Sequence, residues 1–436
     1  MVQENAPDFA QAVAKDLNKP KTEMYFAEIA RRTSTRAPIV QRSLISAEKL
    51  EEWAKPAMVD VPDWQKPWAP KIYKNAKGVV LIIAPWNYPM TLSLQPLIGA
   101  IAAGCCAVLK PSEISPHYSA LLATLTPRYL DSKAFRIVLG GVPETTKLLE
   151  LQWDHIFYTG NSRVARIIAT AAAKHLTPLT LELGGKCPVI VDPSTDIGIA
   201  AKRTLWGKAQ NCGQVCVAPD YVLVPRSHQE AFVDALKAAY MQFFPDGCLA
   251  SDSISRIVSP EHHSRLMKLL ERTQGQVILG GKSEGLKMEM TVVKNVSAND
   301  SLMEGEIFGP ILPIVPVDNL QDAIDFVRDR AHPLVLYAFT ESAEFKDQIL
   351  KGTLSGSLIF NDTFQQLAVN EIPLGGVGES GHGRQVLKYT FDEFSYERAS
   401  IDLPKEAEPF IGMRYAPYTE ENFKIMAAPA FMPIPE

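Results

Sequence analysis

Val79-Val-Leu-Ile-Ile83 is an unbroken aliphatic run that stops at Ala84-Pro85-Trp-Asn-Tyr-Pro89. A strand with one face in water alternates apolar and polar residues, whereas a strand covered on both faces does not. The run therefore reads as a central strand of a parallel sheet sandwiched by helices. Ala107-Val-Leu109 repeats the pattern and ends at Lys110-Pro-Ser-Glu113, and Ile156-Phe-Tyr158 ends at Thr159-Gly160-Asn161-Ser162. Three strands thus end in polar, turn-forming segments, the edge at which open α/β sheets bind ligands. Asn161 or Ser162 can cap the helix that follows, with Val164, Ile167, Ile168 and Ala171 along one face. Its free amides favour an anion such as phosphate, although other strand-to-helix turns share this look.

The alternation continues in a second setting. After Leu181-Glu-Leu-Gly-Gly-Lys186 come the apolar Val189-Ile-Val191, a polar cysteine-containing turn, and a helix with Phe232, Leu236, Ala239 and Phe243 on one face. Further helices are expected around Leu266, Leu269 and Leu270, and around Leu320, Ala323, Ile324 and Val327. No internal repeat or low-complexity tract interrupts the chain. Leu374-Gly-Gly-Val-Gly-Glu-Ser-Gly-His-Gly383 reads as a long flexible loop, either a mobile wall or a return connection. At 436 residues, two or three lobes with a cleft between them are expected.

Composition excludes several functions. The net charge is −5, with both signs dispersed, so neither a nucleic-acid footprint nor a polybasic membrane patch is present. The first residues, Met1-Val-Gln-Glu-Asn-Ala-Pro-Asp8, lack the basic and apolar regions of a signal peptide, which argues against secretion. Six cysteines, at 105, 106, 187, 212, 216 and 248, are expected to be free thiols in a reducing compartment. Zinc is disfavoured, because Cys212 and Cys216 have no second His or Cys pair at finger-like spacing, and no metal is expected. The longest apolar runs, Val79 to Ala84 and Leu97 to Leu109, fall short of the roughly 20 residues of a spanning helix. The proline-rich end, Ile425 to Pro435, reads as a disordered tail or a weak surface contact.

Cys216 is the candidate nucleophile. It follows a polar Asn211-Cys-Gly-Gln-Val215 turn rather than lying in an apolar run, and Gly213 can adopt backbone angles closed to other residues. Such a turn exposes and activates a thiol at the end of a strand or helix facing a cleft. The competing reading is a small core hydrophobe, the commonest fate of a free cysteine.

Taken together, Pro85-Trp-Asn-Tyr-Pro89, Lys110-Pro-Ser-Glu113, Leu181-Glu-Leu-Gly-Gly-Lys186, Asn211-Cys-Gly-Gln-Val-Cys216, Glu306-Ile-Phe-Gly-Pro310 and the late glycine-rich loop resemble the aldehyde dehydrogenase superfamily in order and spacing. Gly141-Val-Pro-Glu-Thr-Thr146, Ala171-Ala-Ala-Lys-His-Leu-Thr-Pro178, the Ala-Pro-Asp-Tyr after the cysteine, and Phe391-Asp-Glu-Phe-Ser395 resemble its class 3 type, the group containing fatty-aldehyde dehydrogenases. The resemblance runs from about Trp53 to about Ser400. It implies an α/β fold: a Rossmann-like cofactor domain over residues 1–182 with a return segment near 370–395, an α/β catalytic domain over 183–369, and a C-terminal segment, 396–436, for oligomerisation or as a tail.

The resemblance also implies a chemistry. Cys216 would attack an aldehyde, the Asn87 side-chain amide and the Cys216 backbone amide would hold the oxyanion, and Glu182 would activate the water that hydrolyses the thioester. The matching cofactor residues are Trp86, Lys110, Glu113, Gly160, Ser162, Glu306 and Phe308. Carboxylates beside a ribose favour NAD, with NADP also accepted by the class. Tyr88, Trp206 and Val215 are candidates for apolar walls near the thiol, and Cys212 is a bystander.

Two departures from the family stand out. Arg163 and Ala165 replace smaller residues at the phosphate-facing helix start, where Arg163 either crowds the cofactor or adds a charge for it. Arg384-Gln-Val-Leu387 replaces a more aromatic, histidine-containing segment and is expected to alter the substrate funnel or its lid rather than the chemistry. The expected activity is NAD(P)-dependent oxidation of a long aliphatic, isoprenoid or apocarotenoid aldehyde to its acid. The alternatives are acyl transfer to coenzyme A, esterase activity, or a non-catalytic binding protein on the same fold. A cytoplasmic homodimer is expected. Class 3 relatives often carry a further hydrophobic anchor, which makes membrane association through such a tail the alternative location.

Overall fold

The computed structural model describes residues 1–29 and 39–434. Val79–Ile83 is the inner strand of a six-stranded sheet whose order is Gly381–His382, Leu179–Glu182, His155–Thr159, Val79–Ile83, Cys106–Lys110, Phe135–Ile137. Val80 pairs with Ala107 on one side and His155 on the other, both in parallel register, and only Gly381–His382 runs antiparallel. The uninterrupted aliphatic run has the cause inferred from it. Val80 and Ile82 enter a cluster with Leu94, Leu97, Tyr118 and Leu122, while Leu81 and Ile83 enter another with Trp153, Ala165 and Ile168. Successive side chains point to opposite faces, so both faces must be apolar.

A seven-stranded sheet is formed by Gln276–Leu279, Thr291–Lys294, Ile311–Val317, Tyr221–Pro225, Pro188–Val191, Val335–Phe339 and Ser357–Phe360, in that order. It is parallel except where Gln276–Leu279 joins antiparallel. Its core includes Phe232, Val233, Leu236 and Ala239 from the helix Gln229–Phe243. The helices expected around Leu266 and Ile324 run over Pro260–Arg272 and Leu320–Arg328.

Three expectations need correction. In the helix Ser162–Ala173, Asn161 is the cap, accepting from the Val164 amide at 3.0 Å. The buried face is Ala165, Ile168 and Ala172 rather than the expected stripe, and Ile167 is 59% exposed. The small alanines let this helix sit close to the sheet, which turns Val164 and Ile167 sideways. The glycine-rich segment is a tightly packed return connection instead of a flexible loop. Gly381–His382 pairs with Leu181–Glu182, and a Cβ on Gly376 would meet Ser380 O at 2.0 Å. Finally, the proline-rich end contains ordered structure, a helix over Glu420–Ala427 capped by Thr419 and a turn over Ala428–Phe431. Pro435 lies outside the described residues.

By compactness, Met1–Trp53 with Ala76–Ser395 forms one unit, and Ala54–Asn75 with Tyr396–Glu436 forms a smaller one. The smaller unit joins Ala57–Met58, Lys71–Ala76 and Ser395–Ser400 in a three-stranded sheet. Strand pairing therefore attaches residues 54–75 to the C-terminal segment, although the sequence reading counted them with residues 1–182. Among the described residues no helix is long and apolar enough to cross a membrane.

Phe232 is fully buried on the helix behind the seven-stranded sheet. Phe232→Ala is expected to lower stability by about 3–5 kcal/mol, the usual cost of emptying a buried aromatic site. The urea unfolding midpoint checks this.

Candidate active site

The polar strand ends converge on one cavity of about 850 Å³ in the larger unit. Its lining includes Trp86, Asn87, Lys110, Glu113, Gly160, Ser162, Glu182, Cys216, Glu306 and Phe308. Every candidate catalytic and cofactor residue is therefore brought together. Tyr88, Trp206 and Val215 are not part of this lining. Tyr88 is buried with its hydroxyl on Glu23 Oε1 at 3.0 Å, Trp206 packs edge-on against Phe364 at 5.8 Å, and Val215 is a core residue.

Cys216 owes its position to a left-handed turn. Asn211, Cys212 and Gly213 have φ of 47°, 55° and 72°. A Cβ on Gly213 would meet Gly309 O at 2.2 Å, so no other side chain fits that close approach. Gln214 pins the turn from three directions, through the Asn211 carbonyl, the Arg256 carbonyl and the Val258 amide, each at 3.0 Å. The backbone amides of Cys216 and Val217 point at the sulfur.

The thiol nevertheless differs from the activated group expected of it. Burial, then Glu306 and Glu182, push it up to about 12, because a thiolate there would lose water and face two carboxylates. The resting group is the neutral thiol. Cys212 is fully buried in the core, consistent with a bystander.

Asn87 is held from both ends. Its Nδ2 donates to Gln214 O at 3.0 Å, which leaves its second N–H for a ligand. Its carbonyl accepts from Lys19 Nζ and Asn211 Nδ2, each at 2.9 Å. Lys19 in turn pairs with Glu28 at 2.8 Å, both side chains having no exposure. Glu28 Oε2 takes the Met90 and Thr91 amides at 2.9 and 3.2 Å, capping the helix Pro89–Ala103 from outside its own sequence. Neither Lys19 nor Glu28 carried a motif in the sequence.

Two buried carboxyls face the cavity. Glu182 ends the strand Leu179–Glu182, and burial holds its carboxyl well above the usual range, with the Gln385 amide opposing and Glu393 adding to the rise. Glu306 is pushed up to about 8, chiefly by burial and then by Asp220. It lies so close to Gly184 that a Cβ there would come within 2.4 Å of its oxygens. Asp220 orders the segment before it, taking Lys186 Nζ at 2.5 Å and the Ile307 amide at 3.1 Å.

The residues fit a dinucleotide. Glu306 Oε1 is buried without a hydrogen-bond partner, an open acceptor for a ribose hydroxyl. Lys110 Nζ reaches Glu113 Oε2 at 2.7 Å. Trp86 packs edge-on with Phe308 and with His262, at 5.5 and 5.3 Å, as an aromatic wall. The sequence reading passed over His262 and Arg265, which line the same cavity. Arg163 is exposed outside the lining, and Ala165 faces the core, so neither fills the space. In the departing segment Arg384–Leu387, Gln385 is buried and its Oε1 accepts from Gln95 Nε2 at 2.6 Å.

Glu306 makes stability depend on pH with a defined sign. Folding raises its carboxyl from an ordinary 4.5 to about 8, so between these values the folded state binds more protons than the unfolded one. Its contribution to stability therefore falls as pH rises through that window. Glu306→Gln, neutral throughout, is expected to unfold at higher denaturant than the parent at pH 8, with the gap closing towards pH 4.5. For the thiol, alkylation of Cys216 by iodoacetamide in the ligand-free protein should keep accelerating above pH 9, where an ordinary thiol has levelled. Peptide mass spectrometry follows both the site and the rate.

Residues 1–399 match the aldehyde dehydrogenase family. Aldehyde dehydrogenase family 3 member B1 of Rattus norvegicus is 43% identical over 428 residues, covering 98% of this chain and 89% of that protein. Family 3 member I1, chloroplastic, of Arabidopsis thaliana is 39% identical over 433 residues, 98% of this chain and 77% of that protein. Among solved structures, the substrate-bound state of Staphylococcus aureus AldH superposes with a TM-score of 0.92 at 38% identity, covering 98% of this chain and 92% of that one. Converging site, fold and family-wide similarity have one meaning: this chain belongs to the aldehyde dehydrogenase family, with family 3 members among its relatives.

Proposed function

We propose that in this NAD(P)-dependent aldehyde dehydrogenase Cys216 is the nucleophile, Asn87 with the Cys216 backbone amide the oxyanion donors, and Glu182 the general base. The observation that carries the reading is the convergence of Cys216, Asn87, Glu182 and Glu306 on one cavity, with Glu182 Oε1 and Glu306 Oε1 lacking partners. As the Cys216 sulfur bonds to the aldehyde carbon, the carbonyl π pair moves to oxygen and the thiol proton must leave. Glu182 faces that thiol, and its raised carboxyl makes it a stronger base than an exposed glutamate. The oxyanion meets the free N–H of Asn87, a neutral donor that stabilises without trapping it.

A nicotinamide bound in this cavity would supply the hydride acceptor for the former aldehyde carbon. The carbon is then a thioester, and Glu182, having lost its proton to solvent, takes one from water as the water attacks. The carbon–sulfur bond breaks and the acid departs. Lys110 and Glu113 would hold the adenosine ribose, Glu306 the nicotinamide ribose, and Trp86, Gly160, Ser162 and Phe308 the rest of the cofactor.

The substrate reading is a long aliphatic aldehyde, with isoprenoid and apocarotenoid aldehydes in the same class. It rests on likeness to family 3. We assign cofactor binding to residues 1–182 with the 370–395 return, catalysis to 183–369, and oligomerisation, as a homodimer, to 396–436. Exposed Phe410, Tyr418, Phe423 and Met426 in the last segment suit a covered surface, and peripheral membrane contact would use the same surface. The cysteines are all free thiols, which fits a cytoplasmic location.

Cys216→Ala is expected to abolish NAD reduction across a panel of aldehydes of increasing length, apocarotenoid ones included. Full turnover in that variant would sink the assignment. Glu182→Gln should lose turnover by about 100-fold or more, typical of removing a general base, with a thioester visible by intact-protein mass spectrometry. Sedimentation velocity reads the oligomeric state.

A further inference from the structure

The Asn87 amide and the cysteine turn are joined in a closed ring of hydrogen bonds. Asn211 Nδ2 donates to Asn87 O at 2.9 Å and to Gln214 O at 3.2 Å, and Gln214 O also accepts from Asn87 Nδ2 at 3.0 Å. Asn87, Asn211 and Gln214 are all buried. An N-terminal segment holds this ring from outside. Lys19 Nζ donates to Asn87 O at 2.9 Å, so both lone pairs of that carbonyl are occupied. Glu23 Oε1 accepts from the Asn211 amide and from the Tyr88 hydroxyl, each at 3.0 Å. Thr91 Oγ1 donates to Ala27 O at 3.3 Å, which ties down the chain after Asn87 as well.

Lys19 has every side in use. One N–H meets Asn87 O, a second meets Glu28 Oε1 at 2.8 Å, and the third side lies over the Tyr88 ring, 3.7 Å from its centroid. Neither Lys19 nor Glu28 has any side-chain exposure. An ion pair shut away from water adds little net stability, because dehydrating both charges offsets their attraction. Removing one partner is different, since it strands the other. Here the stranded group would be Glu28, whose second oxygen holds the Met90 and Thr91 amides at the start of the helix Pro89–Ala103. A bare carboxylate would then stand beside the segment that must attract an oxyanion, and like charges repel strongly out of water. A donor to an oxyanion is worth most when it is aimed before the charge develops.

We propose that Lys19 is a positioning residue for the oxyanion. It fixes the Asn87 carbonyl, and with it the direction of the free Asn87 N–H, and it neutralises Glu28 beside that donor. The inference rests on Asn87 being the oxyanion donor. Lys19 does not line the cavity and acts through Asn87.

A double-mutant cycle isolates that route. Single-turnover NADH formation from hexanal at saturating NAD is measured in the parent, Lys19→Met, Asn87→Ala and the double variant, with NAD affinity read from tryptophan quenching. Asn87→Ala should slow the step by about 100-fold or more, as loss of one oxyanion donor does. Lys19→Met should slow it about tenfold, the scale of one hydrogen bond from a charged group, with NAD affinity at the parental value. In the Asn87→Ala background the same change should cost less than about twofold, because the side chain that it aims is gone. An equal loss in both backgrounds would mean that Lys19 acts through packing or the cysteine turn, and would overturn the proposal. A parental rate in Lys19→Met would overturn it too. Should Lys19→Met fail to fold, Glu28→Gln replaces it in the cycle: the amide oxygen still holds the helix start while the pairing with Lys19 is lost, and the same comparison of backgrounds decides. A parental rate in Asn87→Ala would refute Asn87 as the donor, whereas equal losses beside a slow Asn87→Ala refute only the role of Lys19.

Discussion

Glu182, Glu306 and Cys216 share one cavity, and the cost of burying their negative charges governs the site. Each would ionise readily in water. Together and buried, all three are held towards their neutral forms, by desolvation first; Asp220 adds to the rise at Glu306, Glu393 to that at Glu182, and the two carboxyls to that at the thiol. A carboxyl raised from 4.5 to about 8 reflects several kcal/mol of lost hydration, on the scale of about 1.4 kcal/mol per unit. The arrangement is costly to the folded state and useful to a reaction that must move protons near neutral pH. Placing the acids where their protons are loosely balanced lets small changes in occupancy decide which of them carries charge.

The rest of the molecule supports that crowding. The six-stranded sheet ends its strands in line, so that Asn87, Lys110, Gly160 and Glu182 reach the cavity from adjacent edges. Glycine at 184 makes room for Glu306, and glycine at 213 lets the cysteine turn lie on the backbone of Gly309. Around them the compensating groups stand one step removed. Lys19 and Glu28 brace Asn87, and Lys186 and Asp220 brace the Glu306 segment. Cations touching the carboxylates directly would lower their basicity, whereas cations set one residue back preserve both position and proton affinity.

The strands behind the site were legible because their cause is local. Val79–Ile83 needed both faces covered, and its composition says so without reference to any partner. Gly213 announced a turn for a similar reason, since the backbone angle it adopts excludes other residues. Where the reading faltered, neighbours decided. Ile167 looked like core but faces outwards, because the smaller Ala165 and Ala172 lie between the helix and its sheet. Val215 and Tyr88 are buried in the core cluster and do not line the shared cavity. The glycine-rich segment suggested mobility, yet its glycines are there because backbones pass too close for any side chain.

From the sequence alone came the parallel α/β architecture and the residues Cys216, Asn87, Glu182 and Glu306 that share the cavity, because strand composition and motif chemistry are written in short stretches of chain. Only the tertiary structure decided that burial and two carboxyls raise the proton affinity of the thiol, and that Lys19 and Glu28 brace Asn87. Burial and Coulomb energy are sums over groups brought together from distant positions. Arg42, Gln95 and Gln385 have no common pattern until folding places them in one hydrogen-bonded line.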